Sequence, residues 1–204
     1  MPRRWADLRG STSNRQAGFS LVELLITALI LTVVLFAIYL MYETNMTTAT
    51  WGNKKAELQQ NARVALDMME REIRMTGYDP SNTGATAIQS NPLVSTDLIF
   101  IADVDGNNVT EKVQYTYNAT PQTITRSVWQ WNGTGWDSVT ATPEVVADGV
   151  SSLTLTYCYG DNTCPTNPQP ASVRRITIAI TASGKAGSKT ETFTFASDAR
   201  LRNL

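Results

Sequence analysis

From Phe19 to Met41 the chain is built almost entirely of Leu, Ile, Val, Ala, Phe and Tyr, with a single charge, Glu23, near its start. About 20 consecutive apolar residues are what a helix needs to cross the hydrocarbon of a bilayer. The threonines at 27 and 32 do not spoil the span, because a helical threonine can bond its hydroxyl to the preceding turn. The glutamate is harder to accommodate. A carboxylate at the centre of a membrane costs roughly 2.5 kcal/mol or more, so an acid inside a span usually has a partner or a function. A secretory signal peptide would have a shorter apolar core with small residues at its exit. Here the small pair Ala17-Gly18 precedes the core, so a cut there removes only the residues before Phe19 and leaves the apolar helix attached.

Charge is distributed unevenly about that span. Before Phe19 stand Arg3, Arg4, Arg9 and Arg15 with one acid, Asp7, for a balance of +3, while the remainder has 13 basic and 17 acidic residues. A basic end retained in the cytoplasm and a translocated bulk fit this asymmetry. No basic stripe marks the bulk, which argues against nucleic acid as a partner. The chain has no histidine, so a histidine triad or histidine metal site is excluded. Cys158 and Cys164 lie in "CYGDNTC" among turn formers. On the oxidising side of a membrane they are expected to close a small disulfide loop, with two unpaired thiols as the alternative. Zinc would lack half of its ligands.

A second helical pattern follows the apolar run. Leu58, Ala62, Ala65 or Leu66, Met69 and Ile73 recur at spacings of three to four and form one apolar stripe. Lys54, Lys55, Arg63, Asp67, Glu70, Arg71 and Arg74 read as the opposite face, with Asp67 to Arg71 and Glu70 to Arg74 as i,i+4 pairs. Gly77 is placed to end the helix and Asp79-Pro80 to prevent its continuation. The threonine-rich "ETNMTTATWGN" is a point where the helix could kink, with Gly52 its weakest link. A stem of about 55 residues would be near 80 Å if unbroken. A monomeric domain has no need of such a stem, whereas a filament can bundle staggered stems into a core.

After Pro80 the composition shifts to Ser, Thr, Asn and Gly, and then to strand-like runs: DLIFIAD, EKVQYTYN, TITRSVWQW, WDSVTA, SSLTLTYCY, RRITIAITA and KTETFTFAS. Val113, Tyr115 and Tyr117 alternate with polar residues, as do Leu153, Leu155 and Tyr157, and Ile176, Ile178 and Ile180. That is the period of a sheet with one wet face. The expected product is an antiparallel sheet, in one lobe or two, under the amphipathic half of the stem. Asp103 to Asn107 imitates the start of a calcium loop. Asn108 stands where an EF-hand needs glycine and Gln114 where it needs glutamate, so a hairpin turn is expected and no metal. Trp129, Trp131 and Trp136 are expected to pack across a hairpin, since a nucleic-acid platform would want more cation nearby than Arg126. Arg174-Arg175 reads as a solvated edge, and the final ASDARLRNL as a polar tail. No nucleophile and base stand out as a catalytic set, so no enzyme activity and no cofactor are expected.

The run GFSLVELLITALIL, from Gly18, resembles the N-terminus of type IV pilins and type II secretion pseudopilins. The resemblance implies cleavage between Gly18 and Phe19 by a dedicated membrane peptidase, and N-methylation of Phe19. It makes Glu23 the fifth-position acid, and the new Phe19 amine supplies that acid with a partner on an adjacent subunit. LQQNARVALDMMEREIRMTGYDP, ending at Pro80, is similar to the stem of PilW-type minor pilins, and in general plan to the J-class pseudopilin. The implied fold is α+β and type IV pilin-like: a long, membrane-embedded N-terminal helix packed on a C-terminal antiparallel β-sheet domain. Residues 1–18 would be a cleaved leader, 19–42 the transmembrane half of the helix, 43–76 its amphipathic half and 77–204 the extracytoplasmic domain. The implied function is non-enzymatic: initiating, priming or capping a type IV pilus. The alternatives are a secretion pseudopilin and a DNA-uptake or adhesive tip subunit. The implied partners are major and minor pilins, the prepilin peptidase and methyltransferase, the inner-membrane assembly platform and the bilayer. The implied location is the bacterial inner membrane, with the domain on the periplasmic side and possible incorporation into a pilus.

Overall fold

The apolar run and the amphipathic stem form one helix in the computed structural model, which describes residues 18–139, 142–186 and 189–204. The basic leader before Gly18 and the last two residues of WDSVTA lie outside the described residues. Helix α1 spans Leu21–Arg74. The threonine-rich stretch continues the helical pattern because its hydroxyls bond within it: Thr44 donates to the Leu40 carbonyl at 2.9 Å and Thr48 to that of Thr44 at 2.8 Å.

Two units divide the chain, one ending at Thr48 and the other running from Ala49 to Leu204. In the first, the apolar side chains of α1 are exposed along the whole span. Thr27 and Thr32 donate to the Leu24 and Leu29 carbonyls at 2.9 and 2.7 Å, so neither leaves a hydroxyl unpaired.

In the second unit the stripe of Leu58, Ala62, Ala65, Leu66, Met69 and Ile73 is buried against two antiparallel sheets. The first sheet contains β1 (Asp97–Ala102), β2 (Glu111–Asn118), β3 (Thr123–Trp131), β4 (Trp136–Ser138) and β5 (Glu144–Ala147). β2 and β3 lie at its centre, and both β4 and β5 pair with β3. The second sheet has the order β6 (Val150–Tyr159), β7 (Val173–Ala186) and β8 (Lys189–Arg200). Alternation sets its inner face: Ile176, Ile178 and Ile180 of β7 are fully buried. Tyrosines join the sheets. The Tyr117 hydroxyl donates to the Ser151 carbonyl at 2.7 Å, and that of Tyr157 to Val94 at 2.8 Å.

Three local readings change. Arg175 lies on β7, the central strand, and is partly buried, so Arg174-Arg175 is not an exposed sheet edge. The ASDARLRNL run is not a polar tail: its first half completes β8, and Leu201 is buried with its N–H on the Arg174 carbonyl at 3.0 Å. On the helix, Arg71 Nε donates to the Asp67 backbone carbonyl at 3.3 Å, while Arg74 does pair with Glu70.

Candidate functional site

The N-terminal end of α1 brings together the residues on which an assembly role would rest. Glu23 stands in the first turn, where a carboxylate complements the helix dipole. The first intrahelical bond there runs from the Leu24 N–H to the Ser20 carbonyl at 3.1 Å. Phe19 is 80% exposed, so its ring is not packed into the core of the described residues. Gly18 is equally unconstrained, since a β-carbon added there would meet no atom within 4 Å. Neither residue is dictated by packing within the subunit. No described cation pairs with Glu23.

The stem is fastened to the sheets by a polar latch that its sequence pattern hides. Glu72 lies on the buried side of α1 beside Met69 and Ile73. Its Oε1 accepts from Arg126 NH2 at 2.8 Å, and its Oε2 accepts from Arg126 Nε at 3.0 Å and from the Tyr115 hydroxyl at 2.6 Å. Tyr115 and Arg126 are directly opposed across β2 and β3, so the sheet presents both donors at one point. Burial, and then the Glu72 charge, push the Tyr115 phenol far above its ordinary range. Burial opposes the charge on Arg126, but the hydrogen bonds and charge of Glu72 outweigh it and hold the guanidinium more firmly protonated. Arg126 is therefore committed to the latch and is not a cation for the nearby tryptophans.

At the other end of the first sheet, Trp131 and Trp136 are cross-strand neighbours with ring centroids 5.2 Å apart, edge to face. Lys112 lies 4.7 Å from the Trp129 ring. These aromatics pack across the hairpin. The loop between β1 and β2 gathers Asp103, Asp105 and Glu111, with a carboxylate oxygen from each within 4.8 Å of the others. The buried members are occupied by the loop itself: Asp103 accepts the Gly106 and Asn108 N–H groups, and Glu111 accepts that of Val104. Cys158 and Cys164 form a disulfide at the end of β6.

Comparison with known protein families matches two parts of the chain. A prokaryotic N-terminal methylation motif covers residues 13–39. The model described as prepilin peptidase-dependent protein B covers residues 52–199, well over half of the sequence. The chain belongs to the prepilin peptidase-dependent protein B family. No curated protein matches it significantly. Family membership and methylation motif together make this a prepilin-type N-terminal cleavage and methylation protein, consistent with the type IV pilin and pseudopilin superfamily. The fold agrees: a long helix with an apolar N-terminal part, packed against an antiparallel β domain. The family assignment is consistent with a non-enzymatic assembly subunit, and the apolar helix with anchoring in the inner membrane.

Proposed function

We propose that this protein is a minor pilin of the PilW type that helps to initiate, prime or cap a type IV pilus. Its mature chain begins at Phe19 after removal of the leader and is methylated there. Residues 19–42 lie in the bilayer, 43–76 form the amphipathic stem, and 77–204 form the periplasmic domain. Glu23 docks the subunit through the Phe19 amine of a neighbour. The partners are other pilins, the peptidase and methyltransferase, and the assembly platform. The observation that carries this reading is the exposed apolar run at residues 19–42, whose one acid sits in the first turn of α1, next to a glycine and an aromatic that packing among the described residues does not require. A carboxylate and an amine taken out of water together offset each other's desolvation, whereas either alone is penalised.

Intact mass of the membrane-extracted protein should show loss of the first 18 residues and gain of one methyl group. Gly18→Ala should accumulate uncut chain while Gln16→Ala does not. Glu23→Ala should insert as well as wild type, or better, and yet fail to co-purify with other pilins at equal membrane level. A Glu23→Ala subunit that assembles normally would overturn the docking role.

A further inference from the structure

Four arginines from distant parts of the sequence meet in one cleft of about 540 Å³ in the Ala49–Leu204 unit. Arg74 comes from the last turn of α1, Arg175 from β7 and Arg200 from β8, with Arg202 just beyond it, and Asp198 and Leu201 complete the lining. The positive charge is only partly compensated. Arg74 pairs with Glu70, and Arg175 reaches Asp198 only at 3.9 Å. Arg200 and Arg202 are exposed and enter no ion pair among the described residues. Arg175 and Arg200 are directly opposed across β7 and β8, an arrangement that like charges disfavour. The Arg175 Nε is also buried with no acceptor. The opposed pair leaves the cleft with positive charge that Asp198 and Glu70 only partly offset.

The planar guanidinium fork matches the paired oxygens of a carboxylate or a phosphate. Charge around the cleft separates the two. Asp198 lies within it and Glu70 beside it, and the chain after the leader has four more acids than bases. A nucleic acid follows a continuous basic stripe that neutralises successive phosphates. A cleft with acidic flanks suits a short segment bearing one or two carboxylates. We propose that this cleft docks an acidic peptide segment of a neighbouring protein subunit. A carboxylate in the cleft offsets the repulsion between Arg175 and Arg200 and pairs with the exposed Arg200 and Arg202. Leu201, buried at the wall, keeps Arg200 and Arg202 flanking the entrance. That the neighbour is another pilin rests on the assembly reading above, whereas the carboxylate site rests on the cleft alone.

The test uses the full chain in detergent at low salt, with fluorescent decaglutamate as the probe and fluorescence anisotropy as the readout. Wild type should bind, and Arg200→Gln/Arg202→Gln should weaken binding by about tenfold or more, as loss of charge-assisted pairs requires. These side chains are exposed, so folding should be retained, and near-UV circular dichroism checks it. Lys54→Gln, exposed and outside the cleft, should bind as wild type does. Glu23→Ala should also bind decaglutamate normally even where it fails to assemble, so the two readings fail separately. Decaglutamate binding unchanged in the double arginine variant would overturn the proposal. So would tighter binding of an oligothymidylate of equal charge, which would assign the cleft to nucleic acid.

Discussion

Glu72 is the residue whose removal should tell most about how the stem is held. It is 8% exposed and carries a bidentate arginine and a tyrosine hydroxyl. Arg126→Met strands a buried carboxylate and should destabilise the second unit by roughly 3–5 kcal/mol, measured by urea unfolding. Combining it with Glu72→Leu should recover a large part of that loss, because a buried ion pair often breaks even against an apolar replacement. Additive losses in the double variant would show no energetic coupling between the two residues and would refute the latch. Glu111 acts in the opposite direction. Burial, opposed by the Val104 N–H and reinforced by Asp105 and Asp103, raises its carboxyl above the ordinary 4.5. A folded-state pKa above the unfolded value means that its stabilising contribution is full below the unfolded pKa and is lost as pH rises through the folded one. Glu111→Gln should therefore raise the melting temperature at pH 8, by the equivalent of about 1 kcal/mol or less, and give no gain near pH 4. An equal gain at both pH values would refute the burial explanation.

Two glycine substitutions of opposite sign probe the elements. Leu58 of α1 is wedged between Gly149, in the turn before β6, and Gly184 of β7: a β-carbon on Gly149 would stand 2.3 Å from its Cδ2, and one on Gly184 would stand 2.6 Å from its Cδ1. Turning away from one glycine brings the leucine onto the other. Gly184→Ala should cost about 1–3 kcal/mol in thermal unfolding. In a Leu58→Ala background the same change should cost less, because the closest clash is gone and only the Trp51 ring, at 3.0 Å, has to give way. Gly52 is exposed in mid-helix with nothing near its missing side chain, so Gly52→Ala should instead stabilise α1 by about 0.5–1 kcal/mol. The same contrasts explain what was legible beforehand. EKVQYTYN alternates and coincides with β2, the strand-like TITRSVWQW coincides with β3, and the stem stripe predicts its buried face. β5 was missed because EVVA is short, does not alternate and is mostly exposed. Glu72 was hidden because an acid among Glu70, Arg71 and Arg74 reads as solvated. Its place three residues after Met69 was the available clue, since helical spacing puts it beside the stripe. The arginine cleft could not be seen at all, because it forms only when the end of α1, β7 and β8 converge.

At the scale of the whole molecule, the chain joins an apolar segment that is exposed among the described residues to a domain with its own buried core. The Cys158–Cys164 bridge belongs to the domain and closes a loop with a sequence separation of only 6. Cys158→Ser/Cys164→Ser should lower domain stability by about 2 kcal/mol, as expected for so small a ring. Membrane fractionation of the variant should match wild type; a drop in membrane-bound protein would show that the bridge acts beyond its loop. The contacts between α1 and β8 carry a further consequence, one of timing. Ser197 donates to Glu70 at a sequence separation of 127, Lys55 reaches Glu191, and Arg63 covers the Phe195 ring. One flank of the stem is thus covered only by a strand synthesised long after the stem itself. Contacts so distant in sequence form late and close slowly. On the proposed topology, in which the domain is carried across the membrane, the stem's contacts with β8 would form only after β8 had followed it through, and folding on the far side would be tied to the completion of transport.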